Sequence, residues 1–209
     1  MLDASFQYRL AAGLTFFALL GLWDYVKYPE NPKRLKEYLF LFGITGLVIF
    51  YGVLHDFVTW SISRDYYVVG KGIPSAAEAF DWAVVKLAMQ ATWTVGLIGT
   101  VILLLTNNPD AQGRQVPYPR LLKFCLIPLM TSIVCESIFA TGFYFQSAFM
   151  RDYLPVELLV YTVDDAFVVV WGMHLGAYIG AGLGVLIAVI KIIHGKRTLT
   201  IEGEAKPKD

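Results

Sequence analysis

The segment Val168–Ile193 reads VVVWGMHLGAYIGAGLGVLIAVIKII, and it holds no Asp, Glu, Lys or Arg before Lys191. A helix that crosses the ~30 Å hydrocarbon core of a bilayer needs about 20 such residues, whereas a barrel strand needs about ten and alternates in polarity. This stretch is long and does not alternate, so it reads as a membrane-spanning helix. Three more apolar runs of the same kind precede it, from about Trp82 to Thr106, from Leu121 to about Phe145, and from Tyr38 to about Trp60. A fifth run lies between Arg9 and Lys27 and carries one charge, Asp24. Its 17 residues are at the short limit for a span. Trp23-Asp24-Tyr25 ends it without a small-x-small cleavage site, so it reads as an uncleaved helix.

Within a bilayer only helices or closed barrels satisfy every backbone N–H and C=O. The expected fold is therefore all-α, an integral membrane helical bundle of five transmembrane helices. It forms a single membrane domain over residues 1–209: an N-terminal helix and loop (1–37), a four-helix core (38–195) and a tail (196–209). Composition agrees, with 56% hydrophobic and 16% charged residues and a mean hydropathy of +0.56. Seventeen basic and seventeen acidic residues cancel, which gives no electrostatic footprint for nucleic acid. Cys125 and Cys135 are ten residues apart on one expected helix, about 15 Å by rise, too far to form a disulfide.

If all five runs span, twelve of the seventeen basic residues fall on one side, against Arg9, Arg64, Lys71, Lys86 and Arg151 on the other. The positive-inside rule then puts the C-terminus in the cytoplasm and the N-terminus outside. Prolines mark the loops at Pro29 and Pro32, at Pro74, and at Pro109, Pro117 and Pro119. Pro128 falls inside the fourth helix, where a kink is expected, and Pro155 is expected to open an interfacial or re-entrant piece near 156–165.

Ionisable side chains at membrane depth are costly and mark functional sites by default. Tyr51, His55, Thr59 and Ser63 recur every four residues on one helix face, with Asp56 beside them. Gln90, Glu136 and His174 fall at comparable depth on the other helices, in the outward half. The expected pocket is lined by His55, Asp56, Thr59, Gln90 and Glu136. Its expected metal ligands are His55, Glu136 and His174, with Asp56 orienting a histidine. Mixed His/carboxylate ligation suits a divalent transition metal. His55 and His174 as axial ligands of one haem form a weaker alternative, since no second histidine pair is present. The specific spacings Glu-x-x-His, His-x-x-x-His and His-Glu-x-x-His are absent. Two other function classes stand beside the pocket: a proton, ion or small-solute transporter relaying through Glu136 and Asp56, and a scaffolding subunit without chemistry of its own.

Gly172, Gly176, Gly180 and Gly184 form a four-residue stripe, which admits close approach of another helix, in this chain or in a homo-oligomeric or complex partner. His174 is offset about 200° from Gly172 and points away from that stripe.

The stretch Tyr51-Gly52-Val53-Leu54-His55-Asp56-Phe57-Val58-Thr59, followed by Ser61, Ser63, Asp65-Tyr66-Tyr67 and Gly70, resembles an uncharacterised group of bacterial polytopic membrane proteins. Their signature is approximately Y-G-x-x-H-D-x-[VI]-T followed by S-x-[ED]-Y-[FY] at the outer end of a span. Gln90-Ala91-Thr92-Trp93 and His174 with Tyr178 are similar to that group as well, so the resemblance covers about residues 35–195. Phe57 and Arg64-Asp65 depart from the glutamine and proline-glutamate usual there. The resemblance implies a bacterial inner-membrane location and draws attention to His55, Asp56, Thr59 and His174, but it implies no reaction.

Overall fold

The computed structural model describes residues 4–75, 80–153 and 164–204. The elements in order are α1 (Ala4–Lys27), α2 (Lys33–Ile62), a single π turn (Tyr66–Gly70), α3 (Phe80–Thr106), α4 (Tyr118–Phe145), α5 (Ser147–Arg151) and α6 (Asp165–Glu204). No strand occurs among the described residues. Four helices, α2, α3, α4 and α6, are long and apolar enough to cross a membrane. The shortest of them, α3, has 27 residues, about 40 Å of rise, which exceeds the hydrocarbon thickness. Leu39, Phe50, Leu105, Ile138, Leu186 and Ile190 on these helices are all well over half exposed, a surface suited to lipid.

The expected fifth span forms as the helix α1 but is not among the four. It packs chiefly on α2, with Phe17 set edge-on against Tyr38 and Phe42. Asp24, the acidic residue of this helix, has a structural role: its buried Oδ2 accepts the backbone N–H of Arg34 at 2.8 Å and of Leu35 at 3.3 Å. Pro32, at the cap position of α2, provides no side-chain hydrogen bond. Asp24 therefore caps α2 from a neighbouring helix and satisfies donors that would otherwise be orphaned.

The four core helices are packed as two close pairs. In the α2/α3 pair, a Cβ on Gly52 would collide with Thr92, and one on Gly96 would press on Thr45 and Val48. In the α4/α6 pair the glycine stripe lies on α4: Gly172 faces Phe143, Gly176 the Cys135 carbonyl, Gly180 Ser132 and Thr131, and Gly184 Pro128 and Thr131. The stripe's partner is thus internal, and its surface is spent within the chain. Contact between the two pairs is much sparser, and that seam holds the site.

Several boundaries differ from expectation. α2 begins at Lys33, and α6 runs from Asp165 to Glu204, past the expected tail boundary at 196. Asp164 accepts the Phe167 N–H at 2.8 Å and caps the start of α6, while Lys196 Nζ donates to the Thr106 carbonyl at 2.6 Å and the Asn108 carbonyl at 2.5 Å, tying its far end to the α3–α4 loop. α4 continues through Pro128 as one helix. The expected interfacial piece near 156–165 falls almost wholly outside the described residues.

Candidate functional site

Antiparallel alternation brings the C-terminal parts of α2 and α4 to the same end of the bundle as the N-terminal parts of α3 and α6. Each helix pair then contributes one histidine and one carboxylate to the seam. His55 Nδ1 on α2 lies 3.1 Å from Glu136 Oε1 on α4, and His174 Nε2 on α6 lies 3.4 Å from Asp56 Oδ1 on α2. Asp56 and His174 are buried, and His55 and Glu136 are partly buried, with Glu136 the most open of the four. The imidazole centroids are 4.7 Å apart and edge-to-face.

His174 is fixed from both sides. Its Nδ1 is 2.9 Å from the Val170 carbonyl, which can only accept, so Nδ1 carries a proton. In the neutral ring Nε2 then offers a lone pair toward the Asp56 carboxylate. Two acceptors facing each other at 3.4 Å need a proton or a metal ion between them. Tyr66 stacks on His174 at 4.6 Å, and Lys71 lies over the outer face of that tyrosine ring.

His55 is less committed. The Glu136 carboxylate is close to Nδ1 but off the line of a hydrogen bond, and Nε2 is buried without any partner. Glu136 itself is held by Tyr51, whose hydroxyl donates to Oε2 at 3.1 Å. Thr59 is fully buried one turn beyond His55. Its hydroxyl donates to the His55 carbonyl at 3.0 Å, which leaves its oxygen to accept from Tyr67 at 2.6 Å. Burial, aided by the nearby Asp56 carboxylate, pushes the Tyr67 phenol well above its ordinary value, so it remains a donor there.

One donor atom each from His55, Asp56 and His174 lie within 4.8 Å of one another. The two carboxylates thus exchange their expected places: Asp56 joins the converging donors, and Glu136 stands behind His55 as its neighbour. The reason is rotation. Asp56 is 100° around α2 from His55, toward α6, while His55 faces α4. Gln90 is corrected outright: it is exposed and does not line the cavity. Ala88, Ala91 and Thr92 turn that face of α3 inward, and Gln90 lies about 200° from Ala88, on the opposite side. The haem alternative does not fit, because edge-to-face rings at 4.7 Å leave no room for a porphyrin plane between them.

Sequence reading set Tyr51 on the face of His55 but did not bring Tyr66 and Tyr67 to the site. The spacing of four from His55 already marks Tyr51, whereas Tyr66 and Tyr67 reach the site only because a π turn folds them back over it. Beneath the cluster, the seam encloses a cavity of about 130 Å³ that continues between all four core helices. The chain matches no protein-family model, no curated protein and no solved structure.

Proposed function

We propose that this membrane protein binds a divalent transition-metal ion through His55, Asp56 and His174, on the external side of the membrane. The convergence of three donor groups from two helices within 4.8 Å, two of them buried and His55 partly so, carries this reading. A tetrahedral ion about 2.0–2.1 Å from each ligand sets the ligands roughly 3.4 Å apart. The His174–Asp56 separation of 3.4 Å already matches that edge, and the widest separation contracts on binding. The surroundings support it. Nδ1 of His174 is anchored on a backbone carbonyl, and Glu136 stands at Nδ1 of His55, as outer partners of metal-bound histidines do. Two histidines and one carboxylate leave coordination positions open, and such an ion supplies an acidic bound water or a Lewis acid. The external placement rests on the distribution of lysine and arginine.

The transporter reading has less support, because the hydroxyls below Glu136 are already used. Thr100 donates to the Gly96 carbonyl at 2.7 Å, Thr131 to Ile127 at 2.8 Å and Ser132 to Ala177 at 3.1 Å. They offer no polar route through the lower half. The scaffold reading loses its docking face, since α4 covers the glycine stripe.

Metal analysis of protein purified without chelators, beside the His55→Ala, His174→Ala double variant, tests the proposal. One metal ion per chain in the wild type, lost in the variant, is expected. A metal-free wild type after incubation with zinc, iron(II) or manganese overturns it.

A further inference from the structure

The cavity below the histidines is longer and more apolar than a metal ion and its waters require. Ile44 and His55, both in its wall, are eleven residues apart on α2, about 16 Å of helix rise, and His174 and Val185 span the same length on α6. Between these levels the wall is mainly aliphatic and small, with Val48, Leu129 and Ala181 facing the space. Its threonine and serine hydroxyls are turned to backbone, Thr92 to the Ala88 carbonyl at 2.6 Å and Thr100 and Ser132 likewise, while the Tyr51 hydroxyl is spent on Glu136 and Tyr178 stands at the opening. Water would find few partners there. An apolar cavity of ~150 Å³ stays dry and takes up a small hydrocarbon, and this one is about 130 Å³.

The wall is also interrupted on one side. Ala91 and Val95 on α3 and Tyr178 on α6 line the cavity yet are exposed. α3 and α6 touch sparsely, so the opening faces the hydrocarbon of the bilayer. Toward the end of the bundle the cluster is covered by the buried Tyr66 and Tyr67 of the π turn.

We propose that this cavity binds a hydrocarbon-tailed molecule with a small neutral hydroxyl or phenol head, entering sideways from the membrane between α3 and α6. The tail occupies the aliphatic lower part. The head donates a hydrogen bond to the Asp56 carboxylate, and where no metal occupies the cluster it also meets the unpartnered Nε2 of His55. Asp56 and Glu136 disfavour an anionic head, and among the described residues lining the cavity the single lysine, Lys71, lies over Tyr66. The placement of the head rests on the cluster being a functional site, whereas the tail's place does not depend on a metal.

The test uses full-length protein in polymer-excised native lipid, because detergent would itself enter an apolar cavity. A photoactivatable diazirine analogue of 1-octanol is crosslinked and the adducts are mapped by mass spectrometry, with metal content read on the same samples. Adducts at Val48 or Leu129 are expected, displaced by 1-octanol about tenfold better than by n-octane at equal membrane mole fraction. Ala181→Leu, and independently Ala177→Leu, should abolish them while labelling of lipid-facing Ile138 persists as the sign of a folded chain. Labelling confined to lipid-facing residues, or cavity adducts that survive both fillings, overturns the proposal. Equal displacement by octane overturns the role of the head. Cavity adducts in a metal-free wild type uphold this inference and sink the metal reading, and a metalled protein without cavity adducts does the reverse.

Discussion

A glutamate beside a buried histidine has two possible jobs, ligand or orienter, and geometry decides between them. Glu136 is 3.1 Å from Nδ1 of His55, on the far side of the ring from the free Nε2, and Tyr51 holds its other oxygen. It therefore does not converge with Asp56 and His174, and in the proposed metal site its place is behind His55. Replacing such an outer partner costs about 10–100-fold in metal affinity. Glu136→Gln should lower affinity by that order without abolishing binding, and Tyr51→Phe should cost less, because Glu136 keeps its place at the ring. Competition titration against a chromophoric chelator reads both. A Glu136→Gln protein that loses all metal would make Glu136 a ligand after all. His55, Asp56, Glu136 and His174 were legible in the sequence because ionisable groups at membrane depth are rare. Their division of roles was not, since two carboxylates on different helices are interchangeable until helix rotation is known. Gln90 failed for the same reason: depth was readable, and facing was not.

At the scale of the helix, the α6 glycines divide sharply. Gly180 has no room for a Cβ, which would sit 2.7 Å from the Ser132 Cα, whereas Gly182 has nothing within 4 Å. Gly180→Ala should therefore destabilise the fold by about 1–3 kcal/mol or more, because the obstruction is backbone and cannot turn aside. Gly182→Ala should be neutral or stabilising by up to about 1 kcal/mol through helix propensity. Titration with a denaturing detergent compares them, and equal effects would mean that the stripe does not lie on α4. The stripe itself was plain in the sequence, as were the four long helices, because both are periodic local patterns. Its partner was not, since a small-residue face fits any helix that approaches. The α2/α3 contact through Gly52 and Gly96 has no such period and escaped notice. Asp24 was visible only as an unwelcome charge in an apolar run, because its task, capping α2, is a contact across a loop.

The whole molecule is two helix hairpins joined by a polar seam. Within each, glycines allow close backbone contact, while between them lie a cavity and the crossed pairs His55–Glu136 and His174–Asp56. The α3–α4 loop is the natural place to divide the chain: Ala111, Gln112 and Gly113 are exposed, and its turn is organised locally by Asp110. Helices that pack this way associate after insertion, so covalent continuity at an exposed loop tip is dispensable. Residues 1–111 and 112–209, each supplied with its own start, should co-purify when expressed together and regain the wild-type metal content. The histidine pairs are directed contacts at the buried end of the seam, beside the Tyr51–Glu136 bond and remote from the Lys196 bonds to Thr106 and Asn108. The His55→Ala, His174→Ala double change should therefore weaken co-purification of the halves more than it weakens the intact chain. Halves that associate equally well with and without the histidines would assign the seam's cohesion to apolar packing. Halves that never associate would show that the loop carries part of the fold: Asn107 there both donates to the Val116 carbonyl at 3.0 Å and accepts its N–H at 2.9 Å, a clasp the division leaves in two different chains.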